Sequence, residues 1–256
     1  MRRRLWHTAY ASSLGTSHLK AGQPCQDAGG CIVVPGAEGG EVLIAAVSDG
    51  AGTAKRSKAG ASLAVARFLR DFAGIDTASV DRSFVVEWVS SVRDEIATLA
   101  ADEGNQVYDY ACTMLGAVVA ESGAIYLQIG DGAIVVGTEE VEEYTWIFWP
   151  QHGEYANTTS FLTQENAAEV LEFEKGAPVR EIALFSDGIE RLVLDFSAKS
   201  VYSPSFRPIF KWLAATEVSD SREPSETLVA YLSSDHINKR TDDDKTLVMA
   251  TRVDPE

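Results

Sequence analysis

Apolar and polar positions along the chain fall into two kinds of pattern. Residues 4–14 alternate as a strand would, and residues 39–50, GGEVLIAAVSDG, form a glycine-bounded apolar run that predicts a buried strand. From Ser57 to Phe72 the period lengthens. Leu63, Ala66, Phe68, Leu69 and Phe72 recur at three- and four-residue spacing and predict a helix. A second helix is predicted over 81–102, with Val85, Trp88, Val89, Val92, Ile96 and Leu99 on its apolar face. The period then shortens. Strands are expected at 112–120 and 124–130, joined by a Ser122-Gly123 hairpin turn, with 133–137 and 143–149 continuing the meander. Residues 151–178 carry no clear period. After them come a strand at 180–186, a short helix at 188–196, helices near 207–215 and 223–234, and a last strand at 246–252.

Strands cluster, helices come in pairs, and no βαβ alternation appears. That order predicts an α+β fold with antiparallel sheets rather than a doubly wound parallel one. No linker-like stretch divides the chain, so residues 1–256 are read as a single domain. With 45% apolar residues it can bury a sizeable core. The formal net charge of −16 repels phosphate backbones, so no nucleic-acid partner is expected. Cys25, Cys31 and Cys112 are odd in number and form no CxxC pair. A disulfide framework or zinc knuckle is therefore not expected, and a reducing cytoplasm fits. The basic start leads into no apolar stretch, because His7, Thr8, Ser12 and Ser13 interrupt it; no signal peptide and no membrane association is expected.

Three segments share one design: IAAVSDGAG around Asp49, YLQIGDGAI around Asp131 and IALFSDGIE around Asp187. Each is an apolar strand, then Ser or Gly, then Asp-Gly. A buried strand fixes the acid rigidly at the sheet's end, and the glycine lets the backbone turn and something approach closely. Two further acidic sites are Cys25-Gln26-Asp27 and the Asp242-Asp243-Asp244 run before the last strand. One Asp-Gly after a strand is usually a turn. Three alike, with a triple Asp beside another strand, point instead to a shared acidic site. Gathered carboxylates repel one another unless a cation neutralises them, and all-oxygen ligands select hard ions, Mg²⁺ or Mn²⁺. If the last strand begins there, alternation separates Asp243 from Asp242 and Asp244, and the three cannot all face one site.

In this order the motifs resemble the protein phosphatase 2C family of metal-dependent Ser/Thr phosphatases, in a compact bacterial form. Gly15-Thr16-Ser17-His18 through Gln26-Asp27 resembles its first motif, and Asp49-Gly50-Ala51-Gly52 its Asp-Gly-x-Gly. Cys112-Thr113 through Gly130-Asp131-Gly132 resembles the central hairpin, Ser186-Asp187-Gly188 the Ser-Asp-Gly motif, and Asp243-Asp244-Lys245-Thr246 the terminal Asp-Asn-x-Thr. The resemblance implies a four-layer αββα sandwich, two antiparallel sheets flanked by helix pairs. It implies a two-metal centre with Asp27, Asp49, Asp187 and Asp243 as side-chain ligands, Gly50 contributing its carbonyl, and Asp131 at a third, weaker metal. Asp49 and Asp187 are read as central to catalysis.

The expected reaction is hydrolysis of phosphoserine or phosphothreonine on a protein by water activated between two ions. The substrate is expected to come from a cognate Ser/Thr kinase. Several positions depart from the family, among them Ala111-Cys112-Thr113 in place of its usual Gly-Ser/Thr-Thr triplet. His18 stands where the family often has a phosphate-binding arginine, with Lys20, Lys55 and Arg56 as alternatives. Ala51 stands where eukaryotic members have a histidine that is a candidate general acid, and Asp244 replaces the usual asparagine, adding negative charge near the metals. Two other readings stay open: a phosphoprotein-binding pseudo-phosphatase, which the intact aspartate set argues against, and a hydrolase of a small phosphate ester. Residues 152–163 lie where the family carries a variable flap, and Tyr155, Asn157 and Thr158 are candidate phosphopeptide contacts.

Overall fold

The strands that read as unbroken apolar runs are those covered on both faces. In the computed structural model, which describes residues 4–36, 39–138, 143–151, 159–216 and 222–254, the chain runs β1 (Leu5–Ser13), α1 (Thr16–Ala21), β2 (Ala28–Pro35), β3 (Glu41–Ser48), α2 (Ser57–Asp71) and α3 (Arg82–Glu103). A 3₁₀ turn at Val107–Tyr110 leads to β4 (Met114–Val119), β5 (Ala124–Ile129), β6 (Ala133–Gly137) and β7 (Thr145–Trp146). Then come α4 (Ala167–Val170), β8 (Glu172–Gly176), β9 (Glu181–Phe185), α5 (Asp187–Val193), β10 (Leu194–Asp195) and β11 (Ser200–Val201). The last described elements are α6 (Ser203–Ala214), α7 (Arg222–Leu232), α8 (Asp235–Asn238) and β12 (Lys245–Val253).

Two five-stranded antiparallel sheets result, one ordered β1-β12-β9-β6-β7 and the other β2-β3-β4-β5-β8. Strand alternation splits each run between two cores. Leu43, Ala45, Val47, Leu115 and Ala117 meet Ile134, Ile182, Leu184 and Val248 between the sheets. Ile44, Ala46, Met114 and Val118 pack outward against α2 and α3, through Phe68, Val89 and Ile96. Ala9, Ala183, Phe185 and Met249 face the opposite way, against Phe206, Phe210 and Leu228 of α6 and α7. The layers are therefore helix, sheet, sheet, helix, as expected.

Four local expectations need correction. The meander does not continue past β5: β6 crosses to the other sheet and pairs with β9. The crossing is made at Gly130-Asp131-Gly132, where Gly130 sits at φ 113° and a Cβ on Gly132 would meet the Phe185 carbonyl at 2.6 Å. The strand expected at 143–149 is only two residues long. No strand was expected over 28–35, where β2 opens on Ala28-Gly29-Gly30. A Cβ on Gly29 would lie 2.5 Å from the Thr246 methyl, so the glycine is there to let the sheets approach. The helix expected at 207–215 begins at Ser203, running through Pro208.

Candidate functional site

Strand ends from both sheets meet at one edge of the sandwich, and the acids come with them. Asp49 follows β3, and its backbone is pinned to the start of β4. Its N–H donates to Thr113 Oγ1 at 2.9 Å, its carbonyl accepts from Thr113 N–H at 2.8 Å, and Ser48 Oγ donates to the Thr113 carbonyl at 2.6 Å. Asp187 opens α5 directly after β9. Ser186, between them, donates from Oγ to Asp27 Oδ2 at 2.7 Å and accepts from Thr246 N–H at 3.0 Å. Asp131 sits in the β5–β6 crossover and accepts from the Thr159 hydroxyl. Asp243 precedes β12, and its Oδ1 accepts from Asp244 N–H at 2.8 Å.

Asp49, Gly50, Asp131, Asp187, Asp243 and His18 line one cleft of about 450 Å³. Asp27 lies beneath it, 5% exposed, with Asp49 in hydrogen-bonding reach of both Asp27 and Asp187. Every residue named from the sequence as a metal ligand is thus brought together. The acids are turned on one another; among the described residues no three His, Cys, Asp or Glu side chains already surround a point that holds an ion. Two glycines make room for the convergence: a Cβ on Gly50 would lie 2.7 Å from the Gln26 carbonyl, and one on Gly188 would fall inside the Asp244 carbonyl.

The expected alternatives to His18 lie elsewhere. Lys20 and Lys55 are exposed and do not line the cleft, and Arg56 pairs with Glu103 at 3.1 Å. Asp244 adds negative charge beside the other acids, raising Asp27 and Asp243, and its carboxylate is also tied into the backbone. It is 3% exposed and accepts from Gly15 N–H, Gln26 N–H and His18 Nδ1. Tyr155, Asn157 and Thr158 lie outside the described residues; Thr159 and Phe161 after them line the cleft. Sequence reasoning missed Ser186, Thr113, Thr159 and Glu190. The serines at 48 and 186 were visible before their Asp-Gly pairs, and both hold the site's backbone or acids.

Burial shifts the acids upward. Asp27 is pushed up to about 6 and Asp187 to about 7, burial being the main cause and the charge of Asp131 adding to Asp187. Asp49 rises well above the ordinary range through burial and then the Asp27 and Asp187 charges, and Asp243 rises through burial. Glu190, on the buried face of α5, goes up to about 8 through burial and the charges of Asp187 and Asp131. In the unfolded chain an aspartate titrates near about 3.9. The folded, cation-free protein therefore binds more protons than the unfolded chain between roughly pH 4 and 7, and its stability falls as pH rises through that window. The loss is on the order of a few kcal/mol. Thermal melts in chelator are expected to drop from about pH 5 to about pH 7.5, with Mn²⁺ raising the midpoint more at the higher pH. A chelated midpoint that climbs across this range contradicts the shifts.

Comparison with known proteins agrees with this layout. A family model described as Protein phosphatase 2C matches residues 14–233. The chain is 35% identical over 249 residues to Serine/threonine-protein phosphatase 3 of Escherichia coli (strain K12), covering 96% of this chain and 98% of that one. The fold is shared with the Staphylococcus aureus Serine/threonine phosphatase Stp1, at TM-score 0.63 and 14% identity over 98% of this chain and 97% of that chain. It is also shared with PppA of Pseudomonas aeruginosa, at TM-score 0.62 and 18% identity over 96% and 97%.

Proposed function

The chain belongs to the protein phosphatase 2C family, and from that premise we propose that it hydrolyses phosphoserine and phosphothreonine on proteins with divalent metal ions, Mg²⁺ or Mn²⁺. Asp27, Asp49, Asp187 and Asp243, with the carbonyl of Gly50, would hold two ions, and Asp131 a third, weaker one. The observation that carries this reading is the convergence of Asp27, Asp49, Asp131, Asp187 and Asp243, from strand ends of both sheets, in and beneath one cleft. Asp27 Oδ1 and Asp187 Oδ1 are buried with no hydrogen-bond partner among the described residues. Such oxygens suit a hard ion, since a buried unpaired carboxylate oxygen is otherwise costly. When bound, two ions would supply charge for the phosphoryl oxygens and lower the pKa of an attacking water from 15.7 toward about 7.

The chain's own residues hold and align. Ser186 fixes Asp27, and Thr113 with Ser48 fixes the β3 end, so Asp27 and the backbone that carries Asp49 are held before any ligand arrives. Asp187, Asp49 and His18 line the cleft that would admit the phosphorylated side chain. No covalent phosphoenzyme is needed. All three thiols are pushed up to about 12 by burial, which suits packing rather than nucleophilic attack.

The proposal includes a single catalytic domain over residues 1–256, a cytoplasmic setting, a phosphoprotein substrate made by a cognate Ser/Thr kinase, and no nucleic-acid partner. Free thiols at all three cysteines and the net charge of −16 support those parts. Among the described residues no helix is long and apolar enough to cross a membrane. With Mn²⁺ the protein is expected to dephosphorylate a phosphothreonine peptide, and EDTA to remove at least about 10²-fold of that rate. Turnover that survives EDTA and dialysis rules the reading out. Metal binding by calorimetry with no turnover on any phosphopeptide assigns the site to binding alone.

A further inference from the structure

Asp244 stands apart from the acids around it because all its bonding is spent on its own chain. Oδ1 accepts from Gly15 N–H at 2.6 Å, and Oδ2 accepts from Gln26 N–H at 2.6 Å and faces His18 Nδ1 at 2.8 Å. Two backbone donors prevent the carboxylate from rotating to follow the ring, so the ring is aligned to it. A carboxylate only accepts, so the imidazole proton facing it is on Nδ1. That leaves Nε2 on the other side of the ring. Nε2 lies 4.0 Å from where a Cβ on Gly52 would stand, and both residues line the cleft with Asp49, Asp187 and Asp243. The His18 side chain is 14% exposed, open to the cleft but held.

The reaction needs a proton at this place. A serine or threonine alkoxide is a poor leaving group unless it is protonated as the ester bond breaks. Among the described residues lining the cleft there is no Lys, no Arg and no second His. The residue after Asp49-Gly50 is Ala51, which carries no exchangeable side-chain proton. We propose that His18, positioned by Asp244, is the acid that protonates the leaving serine or threonine oxygen. This rests on the hydrolytic reading above. A water oxygen bonds to phosphorus as the P–O ester bond breaks, and that bond's electron pair goes to the substrate oxygen. The substrate oxygen takes the proton from Nε2 and leaves as a hydroxyl. The water keeps one proton as the P–OH of inorganic phosphate and releases the other to solvent, and bulk water reprotonates Nε2.

Leaving-group chemistry separates this role from simple phosphate anchoring. A nitrophenolate leaves without help, whereas a threonine alkoxide does not. His18→Ala is expected to lower kcat for a phosphothreonine peptide about 10²-fold more than for p-nitrophenyl phosphate, both with Mn²⁺. His18→Gln, which keeps a polar side chain in place, should show the same divergence and serves if the alanine variant does not fold. Asp244→Asn should show it more weakly. In the metal-free protein, nitrogen NMR should find a low-field Nδ1–H, assigned by its loss in the His18 variant and displaced in Asp244→Asn. Equal losses on both substrates with a raised KM would make His18 an anchor and overturn the proposal, as would the absence of the Nδ1–H signal. If the wild-type protein turns over neither substrate, the hydrolytic reading itself fails and takes this one with it.

Discussion

Asp187→Asn is expected to lower kcat on a phosphothreonine peptide on the order of 10³-fold while making the metal-free protein more stable. The two effects have one cause. Asp187 is partly buried beside Asp49, and that burial with the charge of Asp131 lifts its pKa to about 7. Above that pH the folded protein confines charges that repel one another and have little water around them. A neutral amide of the same shape removes one of them, and the neighbouring carboxylates can accept its N–H groups. The gain at about pH 8 in chelator should be about 1–3 kcal/mol. With Mn²⁺ the order reverses, because the wild type gains binding energy that the variant lacks. Calorimetric titration should show weakened metal binding in the same variant. Unchanged turnover in Asp187→Asn, or a variant less stable than wild type in chelator, contradicts the placement of this acid.

Gly188→Ala is the second large expectation, and it works through backbone rather than charge. Gly188 lies in the first turn of α5, directly under the chain entering β12. The added methyl would clash with the Asp244 carbonyl oxygen and touch the Lys245 side chain at 3.4 Å. The Asp244 carbonyl cannot move freely. The Asp244 carboxylate is tied to Gly15, Gln26 and His18, and Lys245 Nζ, on a side chain with no exposed surface, donates to the Asp243 carbonyl and to Asn238. Overpacking against backbone of this kind should cost about 3 kcal/mol or more. For a chain of this size that lowers the melting midpoint by roughly 6–12 °C. Because Asp243 moves with the strand start, turnover should fall further than the loss of folded protein explains. A midpoint within a degree or two of wild type counts against the packing described.

What the sequence disclosed and what it hid follow from how local the cause is. The runs at Glu41–Ser48, Met114–Val119 and Glu181–Phe185 announced themselves because both faces of each strand are covered. The acids were legible because each follows such a run with a glycine behind it. Hidden features depend on partners far away in the chain. Gly29 looks like a loop residue until Thr246 is placed against it. The crossing of β6 to the other sheet needed the pairing with β9, which no local pattern around Ala133 contains. Asp244 read as one more acid near the metals, yet its role is set by Gly15, Gln26 and His18, more than two hundred positions earlier. Ser186 as the anchor of Asp27 is of the same kind.

The place of β12 has a consequence for how the protein is made. It is an inner strand, hydrogen-bonded to β1 on one side and β9 on the other, and its register with β1 pairs Leu5 with Val253. The first sheet therefore cannot close while the chain is still emerging from the ribosome short of that strand, however long the earlier parts have been available. Pairing so distant in sequence is slow to form and waits for that strand. Asp243 arrives with it. A nascent chain that stops short of β12 thus carries most of the acids but not Asp243, and the cleft stays unassembled until that strand pairs.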